Sequence, residues 1–213
     1  LIEPIKGEGG VNTAPQGISY LEEVRALCNQ HNWMMMLDEI QTGNGRTGKY
    51  FAYQHTNIIP DVMTTAKGLG NGFPVGAVMT QGKAVGILGA GSHGSTYGGT
   101  VLGSRVVYTV LDTLQKENAV ENAAQIGSYI VEQLRTQLVN ENVKVRGFGM
   151  MIGVQLPKNC TELVAIARDQ YHLIINVTAG SVVRLLPPLN MTQDQADELL
   201  KRLVPAIQNF LKA

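Results

Sequence analysis

Three polar residues follow two short runs that predict strands in this sequence, at positions where α/β proteins often carry their chemistry. Asp38 and Gln41 come after the run Trp33–Leu37. Lys67 comes shortly after a second run, Val62–Thr65. In a doubly wound sheet, ligands bind beyond the carboxyl ends of the strands. Taken singly, Asp38 is typical of a turn and Lys67 of a solvated strand end, so only their combination predicts a site.

An amine and an acid at one edge of a sheet suit pyridoxal phosphate. The aldehyde of this cofactor forms a Schiff base with a lysine, and an acid keeps its ring nitrogen protonated, so that the ring acts as an electron sink. Lys67 is followed by glycines at positions 68, 70 and 72, which suit a backbone held close to a ligand. Gly94–Gly99 contains Ser95 and Thr96, whose hydroxyl groups, together with backbone N–H groups, are donors for the phosphate.

A competing motif lies between these two groups. Gly43, Gly45 and Gly48 satisfy the G-x-G-x-x-G spacing of dinucleotide-binding folds. In that motif the glycines follow a strand directly, whereas here residues 38–42 intervene. The acid expected about 20 positions further on is also missing, because Asp61 comes too early. A dinucleotide oxidoreductase is therefore the weaker interpretation.

The elements that must position these residues follow an α/β pattern. Ser19 and Glu22 predict a capping box that opens a helix over 20–31. Trp33–Leu37 predicts a strand buried on both faces, as in a parallel sheet. Further along the chain, the patterns predict strands at 62–65, 75–79 and 182–186, two strands within 143–156, helices over 101–140 (bent at Asn118), 161–171 and 193–212, and a cap at Thr192.

Composition excludes several classes of function. Of the 213 residues, 17 are basic and 17 are acidic, and no basic stripe predicts a nucleic-acid partner. No apolar run approaches the roughly 20 residues of a membrane span. Cys28 and Cys160 lie far apart and predict reduced thiols in a cytoplasmic protein without a metal site. Because the chain opens at Leu1 with what reads as the end of a buried strand, we expect a fragment of a longer protein.

Several motifs in a fixed order resemble the class III aminotransferases, in the subgroup that acts on ornithine and its acyl derivatives. The segments that carry the resemblance are Glu3–Gly10, Leu37–Gly48, Pro60–Asp61, Thr65–Gly70, Gly72–Ala77, Ser92–Gly99 and Arg184–Leu189. The resemblance implies a fold type I α/β protein, with residues 1–117 as part of the large, mostly parallel sheet domain and 118–213 as a smaller α+β domain.

The resemblance also implies a role for each matched residue. Lys67 would carry pyridoxal 5′-phosphate and move the proton during the reaction, and Asp38 would pair with the ring nitrogen. Gln41 would bind the phenolic oxygen of the ring. Thr96, next to Ser95, would donate to the phosphate from the neighbouring subunit of a homodimer with shared active sites.

The resemblance also implies that two further residues take part in substrate binding. Arg184 would bind the substrate α-carboxylate through two parallel hydrogen bonds, which suits a planar guanidinium. Glu8 would pair with Arg184 when the amino donor is bound and would swing away when glutamate binds. The unremarkable alternatives are a surface arginine on an edge strand and a loop carboxylate in solvent.

The activity implied is transfer of an amino group from N-acetylornithine to 2-oxoglutarate, giving glutamate. Ornithine, succinylornithine and 4-aminobutyrate remain open as donors, and an inactive fragment or oligomerisation module is the non-enzyme alternative. Arg46, His93 and Glu39 are interpreted as structural supports. Lys6 and Thr100 depart from the family's usual glutamine and asparagine. The family's upstream phosphate loop and stacking aromatic have no match in these residues, so we expect the 213-residue chain alone to bind the cofactor weakly.

Overall fold

A computed structural model describes residues 1–212, which form five α-helices and seven β-strands. The helices are α1 (Tyr20–Gln30), α2 (Val101–Lys116), α3 (Ala119–Gln137), α4 (Leu163–Tyr171) and α5 (Gln193–Lys212). The strands are β1 (Met36–Asp38), β2 (Val62–Thr65), β3 (Ala77–Thr80), β4 (Lys144–Phe148), β5 (Met151–Gln155), β6 (Asn176–Thr178) and β7 (Val182–Leu185).

These elements belong to two compact units. The first comprises Leu1–Ile5, Thr13–Gly45 and Lys49–Ala119. The second comprises Lys6–Asn12, Arg46–Gly48 and the chain from Val120 onward. The sequence did not predict that two short segments from the first half would join the second unit. A domain division of the whole protein at 117/118 stays a prediction.

The first unit contains a three-stranded sheet in the order β1-β2-β3. β1 and β2 run parallel, with Asp38 directly opposite Thr64, and β3 pairs with β2 in the antiparallel direction. The bounds predicted for the strand at 62–65 are confirmed. The third strand begins two residues later than predicted, and all four of its residues are exposed.

The prediction of a buried strand over 33–37 is wrong at its start. Trp33 is 60 % exposed, and its ring stacks on that of His31 at a centroid distance of 4.8 Å. His31 lies in the turn that follows α1, Trp33 comes directly after that turn, and the strand begins only at Met36. An apolar run alone does not distinguish a buried strand from a turn whose aromatic side chain packs on the surface.

The capping box predicted for α1 is also wrong. Within residues 1–212 the Ser19 side chain makes no cap hydrogen bond, and its Oγ donates instead to the Gln16 carbonyl at 2.8 Å. The Glu22 carboxylate accepts the backbone N–H of Asn57 at 3.4 Å. The helix nevertheless begins at Tyr20, because Leu21 and Cys28 bury one face of it.

The helical region after position 100 divides where the sequence predicted a break. Asn118 has a φ of +50°, a left-handed conformation that asparagine tolerates better than most residues, and it separates α2 from α3. The Thr100 hydroxyl accepts the Gly103 N–H at 3.4 Å and caps α2. Asparagine at position 118 therefore ends one helix and allows the next to begin.

The second unit is built on a four-stranded antiparallel sheet in the order β4-β5-β7-β6. The predicted hairpin over 143–156 is confirmed as β4 and β5, whereas β6 was not predicted. α3, α4 and α5 contribute to an apolar core on this sheet, whose largest fully buried side chains are Ile130, Leu134, Leu138, Met150, Ile152, Leu156 and Leu163. Among the helices described, none is long and apolar enough to cross a membrane.

Candidate active site

The acid and the amine singled out from the sequence lie at one edge of the first sheet. Asp38 is the last residue of β1, and Lys67 comes two residues after the end of β2. Because the two strands are parallel neighbours, their carboxyl ends meet at the same edge. The fold therefore brings Asp38 and Lys67 to the kind of position where open α/β sheets bind ligands.

The Asp38 carboxylate is half-buried and partly tied to the backbone. Its Oδ1 accepts the N–H of Ile40 at 3.0 Å, which fixes the carboxylate at the end of the strand. An ionised carboxylate has about four acceptor positions, so this bond leaves room for a donor from a ligand. Gln41 is half-buried in the turn that follows, three residues further along the chain.

Lys67 is held in an uncommon backbone conformation. Its φ is +44°, which a residue with a Cβ adopts rarely and which often marks a functional position. Lys67 opens a 3₁₀ turn that ends at Leu69, and the residue itself is exposed. The turn thus presents the lysine at the sheet edge instead of continuing the strand.

A buried asparagine that the sequence analysis did not single out fixes the chain ahead of this lysine. Asn44 Nδ2 donates to Thr65 Oγ1 at 2.9 Å and to the Ala66 carbonyl at 3.2 Å. Its own φ is +57°, and it stands between two glycines. This Gly-Asn-Gly sequence was the available signal, because asparagine tolerates the left-handed region and turns the chain tightly.

Two of the three glycines after Lys67 have little room for a side chain. A Cβ on Gly68 would lie 3.2 Å from Asn44 Cβ, and a Cβ on Gly70 would lie 2.0 Å from the Phe73 carbonyl oxygen. Gly72 has open space but a φ of +108°. The lysine therefore stands on a tightly packed turn at the same sheet edge as an acid, and this donor set fits pyridoxal phosphate.

Glu39 is fully buried next to Asp38 and is satisfied by protein groups. Its carboxylate accepts the backbone N–H groups of Ala52 and Tyr53, both at 2.9 Å, and the hydroxyl of Thr42. Burial raises the pKa of Glu39, although these three hydrogen bonds act in the opposite direction. Its contacts tie the turn after β1 to the 3₁₀ turn that begins at Ala52, which is a structural role.

The segment proposed to hold a phosphate is exposed in this chain. Ser95 Oγ accepts the N–H of Gly98 at 2.9 Å, which closes a turn around Thr96 and Tyr97. Tyr97 is 82 % exposed. Ser95 and Thr96 are themselves exposed, and a phosphate-binding role for them stays a prediction.

The dinucleotide motif does not have the context that it needs. After Gly48 the chain enters the 3₁₀ turn Ala52–His55, whereas a dinucleotide fingerprint opens an α-helix. A Cβ on Gly43 would lie 2.8 Å from the Glu39 carbonyl, and a Cβ on Gly48 would lie 2.8 Å from Ala124 Cβ. Close packing within each unit accounts for both glycines.

In the second unit, Glu8 and Arg184 form an ion pair, with Arg184 Nη1 2.7 Å from Glu8 Oε1. The two partners differ in exposure, since 11 % of the Arg184 side chain and 70 % of the Glu8 side chain are accessible. Asn176 Oδ1 accepts from Arg184 Nε at 3.1 Å, and the Thr178 hydroxyl donates to the Glu8 carbonyl. Neither Asn176 nor Thr178 was predicted, because each acts on a residue that is not its sequence neighbour.

Arg46 supports the second unit. Its Nη1 donates to the carbonyls of Met150 at 3.3 Å and Pro187 at 2.5 Å, just before β5 and after β7. Burial lowers the pKa of the Arg46 guanidinium. The arginine thus fixes the chain near two neighbouring strand ends. His93, the other predicted support, is exposed.

Comparison with known proteins identifies relatives over nearly the whole chain. The family described as aminotransferase class III matches residues 1–207. The acetylornithine aminotransferase of Nitrosomonas europaea is 45 % identical over 215 residues, covering 100 % of this chain and 54 % of that protein. That of Bacillus subtilis is 39 % identical, covering 97 % and 53 %. The chain therefore spans about half the length of the curated relatives it matches.

Solved structures resemble this fold closely. The ornithine aminotransferase from Plasmodium yoelii superimposes with a TM-score of 0.91 at 33 % identity, covering 98 % of this chain and 57 % of that one. The acetylornithine aminotransferase from Elizabethkingia anophelis gives a TM-score of 0.90 at 32 % identity, covering 98 % and 54 %. These similarities confirm the predicted fold type I architecture. On the family match and on these relatives, the chain belongs to the class III aminotransferases.

Proposed function

We propose that the protein is an aminotransferase that uses pyridoxal 5′-phosphate to move an amino group from N-acetylornithine to 2-oxoglutarate. The observation that carries the proposal is the position of Asp38 and Lys67 at the carboxyl ends of neighbouring parallel strands, in a chain of class III. A scaffold has no need of either side chain there. This argues against the inactive-module alternative.

The residues present are suited to the cofactor. Lys67 would bind its aldehyde carbon, Asp38 its ring nitrogen and Gln41 its phenolic oxygen, with Ser95 and Thr96 donating to the phosphate. Pyridoxal phosphate, when bound, supplies an electron sink for the bond that breaks at the amino-bearing carbon.

The protein's own groups then have separate tasks. Asp38, whose Oδ1 is already fixed by the Ile40 N–H, holds a positive charge at the ring nitrogen. Once the substrate amine has displaced Lys67 from the aldehyde carbon, the released Lys67 amine would accept a proton from the amino-bearing carbon and return it on the other side of the transferred nitrogen, as a positioned general base and then acid. Its uncommon backbone conformation and the packed turn after it limit where the amine can go, which favours one path for the proton.

Glu8 and Arg184 are suited to a site that must accept two different substrates. The half-buried Arg184 guanidinium attracts any carboxylate, and the exposed Glu8 carboxylate neutralises it when no substrate carboxylate occupies it. When glutamate or 2-oxoglutarate binds, its α-carboxylate replaces Glu8 on Arg184. The difference in exposure supports this exchange, because Glu8 is the partner whose side chain solvent reaches.

The identity of the amino donor rests on relatives. Curated relatives named acetylornithine aminotransferase favour N-acetylornithine, whereas solved structures named ornithine aminotransferase keep ornithine as the second candidate. A homodimer with shared active sites, in which Thr96 serves the neighbouring subunit, is part of the proposal. So is a cytoplasmic location.

Replacement of the lysine tests the cofactor chemistry. A full-length protein that contains this chain should be yellow after incubation with pyridoxal phosphate, and borohydride should fix the cofactor to the peptide that contains Lys67. In Lys67→Ala we expect no fixation and a loss of turnover of at least about 1000-fold, since covalent catalysis is removed. Lys144→Ala, at an exposed position of β4, is the control.

A substrate panel tests the reaction. N-acetylornithine, ornithine, N-succinylornithine and 4-aminobutyrate are each supplied with 2-oxoglutarate, and both the aldehyde and glutamate are measured. We expect the highest kcat/KM with N-acetylornithine. If no donor converts the bound cofactor to its amine form, the protein is not an aminotransferase.

A further inference from the structure

Four residues of the second unit form one row across its sheet. Arg146 lies opposite Gly153, Gly153 opposite Arg184, and Arg184 opposite Asn176, so the row runs through β4, β5, β7 and β6. Side chains of residues directly opposite one another lie on the same face of a sheet. Arg184 therefore shares one face of the sheet with Arg146, Gly153 and Asn176, and these three residues can position its ion pair with Glu8.

The segment Lys6–Asn12, here named the Glu8 loop, packs on this row. A Cβ on Gly153 would lie 3.1 Å from Val11 Cβ and 3.2 Å from the Gly10 carbonyl oxygen. The loop thus occupies the space that any larger residue at Gly153 would need. A glycine at the centre of a strand costs stability, and close approach of another backbone is a common reason for it.

Arg146 ties the same loop down. Its Nε donates to the carbonyls of Gly10 and Val11, both at 3.0 Å, and its Nη2 donates to Gly10 at 2.6 Å and to Gln155 Oε1 at 3.3 Å. Hydrogen bonds from a charged donor are about twice as strong as those between neutral groups. Arg146 therefore fixes the part of the loop that directly follows Glu8.

The loop needs such a tether because its backbone is unfavourable. Gly10 and Val11 have φ values of +102° and +56°, and a β-branched residue with positive φ is a genuine outlier. Such a residue persists only when its surroundings over-determine it. Three features hold Val11 in this conformation: its own buried side chain, the hydrogen bonds from Arg146 and the contact at Gly153.

At the other end of the row, Asn176 orients the guanidinium. Its Oδ1 accepts from Arg184 Nε at 3.1 Å, while Nη1 of the same group faces Glu8 at 2.7 Å. Because the guanidinium is planar, fixing Nε also fixes the direction in which its other donors point. Asn176 thus sets the plane in which Arg184 presents its remaining hydrogens to a carboxylate.

We propose that Arg146, Gly153 and Asn176 are positioning residues for the switch between the two half-reactions. Arg146 and Gly153 hold Glu8 against Arg184, and Asn176 holds Arg184 ready for the α-carboxylate that replaces Glu8. The assignment rests on the proposed function, in which that exchange lets one site accept both substrates.

Hydrogen exchange followed by mass spectrometry tests the tether without using activity. In the wild type, the Glu8 loop is closed by hydrogen bonds from Lys6 N–H to the Asn12 carbonyl at 2.8 Å and from Asn12 N–H to Lys6 at 3.1 Å. We expect exchange in peptides covering 6–12 to be about 10-fold faster in Arg146→Gln and Gly153→Ala, with β5 and β7 unchanged. Arg135→Gln is the matched control, since Arg135 Nε and Nη2 also donate to a backbone carbonyl, that of Val145.

Steady-state kinetics of the holoenzyme test the division of roles. Loosening Glu8 in Arg146→Gln or Gly153→Ala should raise KM for N-acetylornithine by about 3- to 10-fold and leave KM for 2-oxoglutarate equal or lower. Asn176→Ala should raise KM for 2-oxoglutarate by a similar factor, with kcat within about twofold, because uniform binding is lost. Asn140→Ala, at an exposed turn, is the control.

The outcomes separate this inference from the proposed function. Unchanged exchange in 6–12, or parallel changes of both KM values in every variant, would overturn the positioning role. Inactivity of the wild-type holoenzyme towards every donor would overturn the proposed function and with it the switch, whereas faster exchange in 6–12 would still establish the tether.

Discussion

Two carboxylates of the first unit respond to their surroundings in opposite ways. Burial raises the pKa of Glu39 above its ordinary value of 4.5. Burial also acts to raise the pKa of Asp61, but hydrogen bonds from the Arg25 guanidinium at 2.8 Å and the Met35 N–H at 2.7 Å outweigh it and hold that pKa below 3.8. The direction of each pKa shift therefore depends on whether the number and charge of the hydrogen-bond donors outweigh the effect of burial.

The opposite signs predict opposite pH dependences of stability. The Glu39 contribution is greatest below pH 4.5 and is lost as pH rises through the raised pKa, whereas the Asp61 contribution is present above pH 3.8 and is lost as pH falls. Urea unfolding should therefore show the advantage of wild type over Glu39→Gln shrinking as pH rises, and that over Asp61→Asn shrinking as pH falls. Changes in the same direction for both variants would contradict this.

At the scale of elements, two helices that look alike at their starts differ in how they are capped. Thr192 Oγ1 accepts the Gln195 N–H at 3.3 Å, and Gln195 Oε1 accepts the Thr192 N–H at 2.9 Å. This is the reciprocal pair of a capping box, and it opens α5. Ser19 occupies the same position before α1, but its hydroxyl points back to the Gln16 carbonyl.

This difference predicts unequal costs of alanine substitution. Thr192→Ala should lower the free energy of unfolding by about 1 kcal/mol, because the backbone N–H of Gln195 at the start of α5 loses its partner. Ser19→Ala should cost less than about 0.5 kcal/mol, because an exposed hydroxyl makes only a local bond. Chemical denaturation of both variants measures the difference, and equal costs would show that the cap on α5 contributes nothing.

Elements defined by their own residues could be predicted, and elements defined by distant contacts could not. β2, the break at Asn118 and the start of α5 carry their signals locally. The three-residue β6 exists because it pairs with β7, which gives no local pattern. The same division holds at the site. A lysine and an acid after predicted strands are visible in the sequence, whereas the hydrogen bond that Arg184 donates to Asn176 depends on strand pairing.

At the scale of the whole molecule, two elements of the first unit expose apolar side chains. All four residues of β3 are exposed, and Val101 and Leu102 at the start of α2 are 89 % and 64 % exposed. Exposed apolar side chains that lie together mark interaction surfaces. The chain spans about half the length of the curated relatives it matches.

The 213-residue chain on its own should therefore behave differently from a whole enzyme of this family. We expect the isolated chain to bind an apolar fluorescent dye, to self-associate in sedimentation, and to bind pyridoxal phosphate at least about 10-fold more weakly than a protein that includes the family's upstream half. A monodisperse chain with full turnover and no dye binding would contradict the expectation.

The left-handed backbone at Lys67 favours one residue type for stability and another for the proposed reaction. Glycine adopts such a conformation without strain, so the fold would be better served by glycine at this position than by any residue with a side chain. Selection for thermal tolerance alone would remove the lysine, whereas selection for the proposed reaction would retain it. Among sequences with this turn, lysine at position 67 would thus mark a protein selected for that chemistry.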